Sequence, residues 1–319
     1  MLRQSRYITS AALEEAARAG DPELDLEHLL LGLLVTGGPS AALLTAAGVN
    51  LPRLRQAVVE VKQQELAHLG LQVPVPAVPE GPEPSFGAAQ AIPFNDRAMA
   101  VMKRISYEGD DRELLLALLQ DEGRRVERVL HHLDVDVDAL RSATAPEHAA
   151  PRTDHPGAPA VAQDSSVLAT LVHDVPVDAG RVWDLVSDVT RRPEWDSACV
   201  RVETGPDGVE RLTYRARGRE FVAEQVVNHF VPGREIGWHR FRVGGRFASV
   251  DLSLRVEPLG TTCRVHLEAR RGPATGRPLG YRLLQPLARP LLRPLVVRAT
   301  GSQLRWHAQS IARAAARTA

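Results

Sequence analysis

The 319-residue chain has no run approaching the ~20 consecutive apolar residues that a membrane span requires, so a single-helix anchor is not expected. Its first residues, MLRQSRYITS, lack the apolar stretch of a signal peptide. Cysteine is reduced to Cys199 and Cys263, which excludes a disulfide framework and a cysteine-based zinc site. No G-x-x-x-x-G-K-[ST] loop is present to cradle phosphates, and no H-E-x-x-H pair to hold zinc. Neither cysteine has a flanking base that would argue for a reactive thiolate. These absences predict a cytoplasmic protein that is not an ATPase, with no metal, no cofactor and no nucleophile triad. Apolar residues still make up 44% of the chain, enough for packed cores.

Lysine and arginine together number 39 and so do aspartate and glutamate, yet the balance is uneven along the chain. Residues 1–144 hold 14 basic and 21 acidic side chains, and residues 166–319 hold 24 and 15. An acidic half, net −7, is joined to a basic half, net +9. Between them, 145–165 reads APEHAAPRTDHPGAPAVAQDS, with the composition of a flexible linker. The expected organisation is an all-α domain over 1–144, the linker, and an α+β domain over 166–319.

The first half contains an internal repeat. LDLEHLLLGLL (24–34) matches DDRELLLALL (110–119), and AAGVNLPRLR (46–55) matches HLDVDVDALR (132–141). ITSAAL (8–13) matches FNDRAM (94–99), each pair about 85 residues apart. The copies span about 2–70 and 94–142, with a Pro-rich spacer at 71–93 that forbids regular structure. Thr9 and Asn95 are expected to cap a first helix, and Asn50 and Asp136 a last one. The leucine-rich helix is apolar nearly all round and should be the buried centre of its copy. The EHLLLGLL run, the AAGVNLPRLR segment and the duplication resemble the Clp N-terminal (Clp R) domain. That resemblance implies a protein-interaction module without catalysis, whose partner could be a Clp-type protease component. Some members bind arginine-phosphate tags through the acidic residue before the histidine. Here that implies Glu27 and His28 in the first copy and Arg112 and Glu113 in the second. A cation at Arg112 breaks the symmetry of such a site, and Glu27 and His28 equally suit a cap on a buried helix.

From 166 the periodicity becomes that of strands. SSVLATLVHDVPV reads as a strand, and DAGRVWDLVSDV as a helix capped by Asp178 with Val182, Leu185 and Val186 on one face. RRPEWD reads as a short helical turn. Six further strands follow, bounded by turn signals. Alternation places Val250, Leu252, Leu254 and Val256 on one face, and Cys263, Val265 and Leu267 on another. A helical region over 278–318 closes the chain. Its prolines at 278, 286, 290 and 294 predict a broken start and a regular helix only from about Leu291.

This order is that of the helix-grip fold. VPVDAGRVWDLVSDVTRRPEWD resembles the polyketide cyclase branch of the START/Bet v 1-like (SRPBCC) superfamily. The resemblance implies a curved antiparallel sheet wrapped on the long C-terminal helix, with an apolar cavity for a hydrophobic small molecule. The candidate lining residues are Tyr214, Gln225, His229, His239 and Phe241. Trp183 and Trp195 read as core anchors. The basic C-terminal end, ten Arg and no acid over 269–319, reads as a solvated helix back rather than a nucleic-acid surface. Two functions remain open: a two-domain binding protein for a hydrophobic ligand or protein client, or a polyketide cyclase/aromatase-like enzyme using Tyr214, His229 and His239 as acid and base.

Overall fold

The computed structural model describes residues 3–71, 92–105, 111–145, 167–196, 198–216, 219–242, 249–271 and 279–317. Most of the expected spacer and nearly all of the expected linker lie outside them. The chain divides into two compact units, Met1–His155 and Pro156–Thr318. No single helix among the described residues is long and apolar enough to cross a membrane.

The first unit is helical: α1 (Arg3–Ala19), α2 (Leu26–Thr36), α3 (Pro39–Ala46), α4 (Leu51–His68), α5 (Asp96–Arg104), α6 (Asp111–Leu119), α7 (Arg125–His132) and α8 (Val137–Thr144). Every residue of α2 is buried, Glu27, His28 and Thr36 among its leucines included. Gly32 allows α1 to close on it, since a Cβ there would stand 2.5 Å from the Ile8 carbonyl oxygen. Asn50, Asn95 and Asp136 each accept a backbone N–H at the start of α4, α5 and α8. Thr9 does not cap: α1 already begins at Arg3, because the preceding turn is also helical. The two copies are tied together. Leu24 bridges Phe94 through Leu24 N–H to the Pro93 carbonyl (2.8 Å) and Asn95 N–H to the Leu24 carbonyl (3.0 Å). The buried Asp111 of α6 accepts the Ser40 N–H at the start of α3 at 2.9 Å.

The second unit opens with β1 (Val167–Val175), α9 (Ala179–Ser187) and the single turn α10 (Arg192–Trp195). Then come β2 (Cys199–Thr204), β3 (Glu210–Ala216), β4 (Arg219–Val231), β5 (Glu235–Arg242), β6 (Val250–Leu259), β7 (Thr262–Arg271) and the helix α11 (Leu279–Arg317). The strands form one antiparallel sheet in the order β1-β7-β6-β5-β4-β3-β2. This is the helix-grip architecture.

Strict alternation in β7 buries Cys263, Val265, Leu267 and Ala269 on the inner face. Asp178 caps α9, and Val182, Leu185 and Val186 are its buried face. The outer face is laced with cross-strand pairs, among them Arg264–Asp174 at 2.7 Å and His266–Glu257 at 2.8 Å. α11 corrects one expectation, for it runs from Leu279 across Pro286, Pro290 and Pro294 as one helix. Prolines four apart lie along one side of a helix, so the lost hydrogen bonds fall on that side while the rungs on the others persist.

Candidate functional site

Register decides which side chains look inward. Across the sheet, paired residues share a face: Leu212 with Ala223, Tyr214 with Phe221, Glu210 with Gln225, Gln225 with Arg240, and Trp238 with both Val227 and Leu252. This face carries the buried Leu252, Leu254 and Leu267, so it is the inner one. Tyr214 and Gln225 are therefore on it. His239 and Phe241 are not. They stand opposite Val226 and Glu224 on the outer face, where His239 Nδ1 lies 2.5 Å from Asp251 Oδ1 and the two rings are 5.9 Å apart.

His229 also departs from the expected face. A bulge between Val227 and His229 inserts one residue into β4, so parity flips and Phe230 pairs inward with Ile236. The His229 side chain is 52% exposed, beside Glu235 at 3.7 Å. Gly237, opposite the bulge, makes it possible: a Cβ there would meet Asn228 Oδ1 at 2.7 Å and His229 Cβ at 3.2 Å.

A polar cluster lies buried on the inner face. The turn α10 contributes Arg192, and Asp196 caps its end; each is 1% exposed, with Arg192 Nε 3.4 Å from Asp196 Oδ2. The i, i+4 spacing in RPEWD places both groups on one side of that turn. Tyr214 donates its hydroxyl to the same Asp196 oxygen at 3.2 Å. Burial pushes the Tyr214 phenol up to about 12, against the pull of Arg240 and Arg192. Gln225 donates to Glu210 Oε2 at 2.6 Å and accepts from Arg240 Nε and Nη2 at 3.2 and 3.0 Å. Aromatic rings floor the cluster. The Arg192 guanidinium lies 3.9 Å from the Trp195 ring centre and 5.3 Å from that of Trp238, and Arg240 lies 5.7 Å from Tyr214. His307 of α11 meets the Trp195 ring edge-on at 5.8 Å.

Several of these groups lack partners. Arg192 Nη2, Trp195 Nε1, Asp196 Oδ1 and both His307 ring nitrogens are buried without a hydrogen bond. Burial drives the His307 imidazole down to about 3, with Asp196 pulling the other way and Arg192 and Arg240 adding to the fall. Both thiols are pushed up by burial, Cys263 to about 12. The inner face is not sealed at one end, since Val227 and Phe230 are 42% and 50% exposed. There the Trp183 ring tilts against Phe230 at 5.5 Å, at the edge rather than in the core. Among the described residues no group of acidic, histidine or cysteine side chains is arranged to hold a metal.

Of the five lining residues expected, the fold brings two to this cluster. Arg192, Asp196, Arg240, Glu210 and His307 were missed. The one legible signal was the Arg-x-x-x-Asp spacing ahead of a strand.

In the first unit, Glu27 and His28 are buried and engaged, so neither presents a docking surface. His28 occupies the third position of α2. Its Nδ1 accepts the Asp25 N–H at 3.0 Å while Nε2 lies 3.1 Å from Asp21 Oδ2, completing a capping box in which Asp25 is the N-cap. Glu27 binds Arg125 of α7 at 3.0 Å, and Arg125 also pairs with Glu65 of α4. Burial opposes the Arg125 charge, but Glu27 and Glu65 together outweigh it and raise the guanidinium further. Arg112 and Glu113 are half-buried in the first turn of α6. An open groove of about 650 Å³ lies elsewhere, between α7 and α8, lined by residues including Arg124, His131, Asp134, Asp138 and Arg141.

Comparison with known proteins separates the same two stretches. Residues 3–106 match the family model described as Clp repeat (R) N-terminal domain, and residues 166–310 match polyketide cyclase / dehydrase and lipid transport. No protein of curated function matches the chain. Among solved structures, the N-terminal domain of the caseinolytic protease associated chaperone ClpD from Arabidopsis thaliana is 17% identical. That match covers 45% of this chain and 91% of the other, with a TM-score of 0.35. A START superfamily protein from Mycobacterium smegmatis is 18% identical over 40% of this chain and 94% of its own, with a TM-score of 0.27. A polyketide-cyclase-like protein from Corynebacterium glutamicum is 20% identical over 43% and 82%, with a TM-score of 0.28. The chain thus joins a Clp repeat N-terminal domain to a helix-grip domain of the polyketide cyclase / dehydrase and lipid transport family.

Proposed function

We propose that the protein is a non-catalytic two-domain binding protein. Its helix-grip unit takes up a small, largely hydrophobic molecule, and its helical unit engages a protein partner, for which a Clp-type protease component is the first candidate. The observation that carries the ligand half is the open end of the inner face. Exposed Val227 and Phe230 lead directly to Trp238 and to buried polar atoms that have no partner. Binding is favoured over turnover because the acid–base set expected of a cyclase is divided: Tyr214 is inside, while His229 and His239 are outside. The inner groups that could move protons are held far from neutrality, Tyr214 at about 12 and His307 at about 3.

Native mass spectrometry of the purified full-length protein tests this. A bound small-molecule mass that is lost on denaturation and extracts into organic solvent is expected. Finding the protein uniformly free of ligand, and unable to take up any amphiphile offered, would remove the ligand half. Capture experiments with and without that ligand test the partner half, which fails if no Clp-type component is retained in either state.

A further inference from the structure

We infer that the helix-grip unit selects ligands that carry one carboxylate on an apolar body, and that the carboxylate seats at Arg192, Arg240, Trp195 and His307. This rests on the ligand-binding reading above and names the chemistry of its polar end.

The two guanidinium groups of the cluster are not paired alike. Arg192 is buried and Arg240 half-buried, and Asp196 is the carboxylate that Arg192 contacts, at 3.4 Å. Arg240 has no ion pair among the described residues; its Nε and Nη2 are held by the neutral oxygen of Gln225. Glu210 spends its Oε2 on the far side of that amide. Among the described residues Asp196 is thus the one carboxylate in direct contact with either guanidinium. An unneutralised buried cation is costly, and a second anion relieves that cost.

The unpartnered atoms point the same way. Arg192 Nη2, Trp195 Nε1 and the protonated His307 nitrogen are three donors, against Asp196 Oδ1 and the other His307 nitrogen as acceptors. Each belongs to a side chain no more than 2% exposed. Rings hold the donors close together, with Arg192 stacked on Trp195 at 3.9 Å and His307 edge-on to that ring at 5.8 Å. A carboxylate offers two oxygens to such a set, and arginine is the side chain best matched to it. The rest of the ligand has an apolar course. Val227 lies opposite Trp238, whose ring is 5.3 Å from the Arg192 guanidinium, and Phe230 and Trp183 stand at the open end. The apolar body would lie along that face, with its head inward.

Dodecanoate and dodecanol share a chain and differ in charge, so calorimetric titration of each into the full-length protein tests the inference. Dodecanoate is expected to bind at least tenfold more tightly. Arg240→Met should cut the preference of dodecanoate over dodecanol to within twofold. Arg192→Met combined with Asp196→Asn, which removes a cation and an anion together, serves as the second variant should the first fail to fold. Equal affinity of the two probes for the wild-type protein overturns the carboxylate inference and leaves hydrophobic binding standing. Binding of neither overturns both. A preference for dodecanoate that survives in a folded variant places the charge recognition elsewhere and also overturns it.

Discussion

His307 is a residue whose cost to the fold can be separated from its use. Its ring is fully enclosed, both nitrogens lack partners, and the charged groups around it are Asp196 and Arg192 from α10 and Arg240 from β5. The folded-state pKa of about 3 is below the unfolded value of 6.5. Between these values the unfolded chain binds a proton that the folded chain refuses. Stability is therefore full above pH 6.5 and falls as pH drops toward 3, by about 1.4 kcal/mol per unit at most. His307→Phe should flatten that acid limb in thermal melts. At neutral pH it should leave stability unchanged or raise it by about 1 kcal/mol, since it replaces two orphaned polar atoms by an apolar edge. A steeper acid limb in the variant would contradict this. Glu27 predicts the opposite kind of outcome. Glu27→Gln leaves Arg125 partly uncompensated, although Glu65 remains, and should cost about 2 kcal/mol in denaturant unfolding. A loss near zero would mean that Glu65 alone suffices.

At the scale of the element, the bulge in β4 does most to shape the site. It turns His229 out and Phe230 in, and Gly237 is the position that tolerates it. Gly237→Ala should push Asn228 and His229 away and cost about 1–3 kcal/mol, with amide exchange accelerated in β4 and β5 rather than across the sheet. Uniform acceleration would argue against a local clash. The bulge also explains what the strands hid. Alternation was legible in β6 and β7, where apolar residues and burial coincide. In β5 it held for Ile236 and Trp238 but reversed at the end, where Arg240 points in and Phe241 out, so hydropathy there favours the wrong face. Helix caps such as Asp178 and Asn50 were legible because a short polar side chain before an apolar run has a local cause. The cluster around Arg192 was not, since its members come from α10, β3, β4, β5 and α11 and meet only through the tertiary fold. Glu27 and His28 divide the same way: a cap on the buried helix was legible for His28, while the Glu27 partner, Arg125, is supplied by α7 from far along the chain.

For the whole molecule, the charge asymmetry and the periodicity change located two units, and the tryptophans now give a way to address one of them. All four, Trp183, Trp195, Trp238 and Trp306, lie in the helix-grip unit, and residues 3–145 hold none. Tryptophan emission therefore reports on that unit in the intact chain, while helical circular dichroism reads both. A ligand that binds only the folded form, present at one hundred times its Kd, adds about 2.7 kcal/mol of stability. For a unit of this size that corresponds to an upward shift of about 5–10 °C. Dodecanoate should raise the midpoint followed by tryptophan emission by that amount. The same addition to the Arg240→Met protein should raise it no more than dodecanol does. A shift seen in circular dichroism but absent from tryptophan emission would move the ligand to the helical unit, where the groove between α7 and α8 would become the place to look.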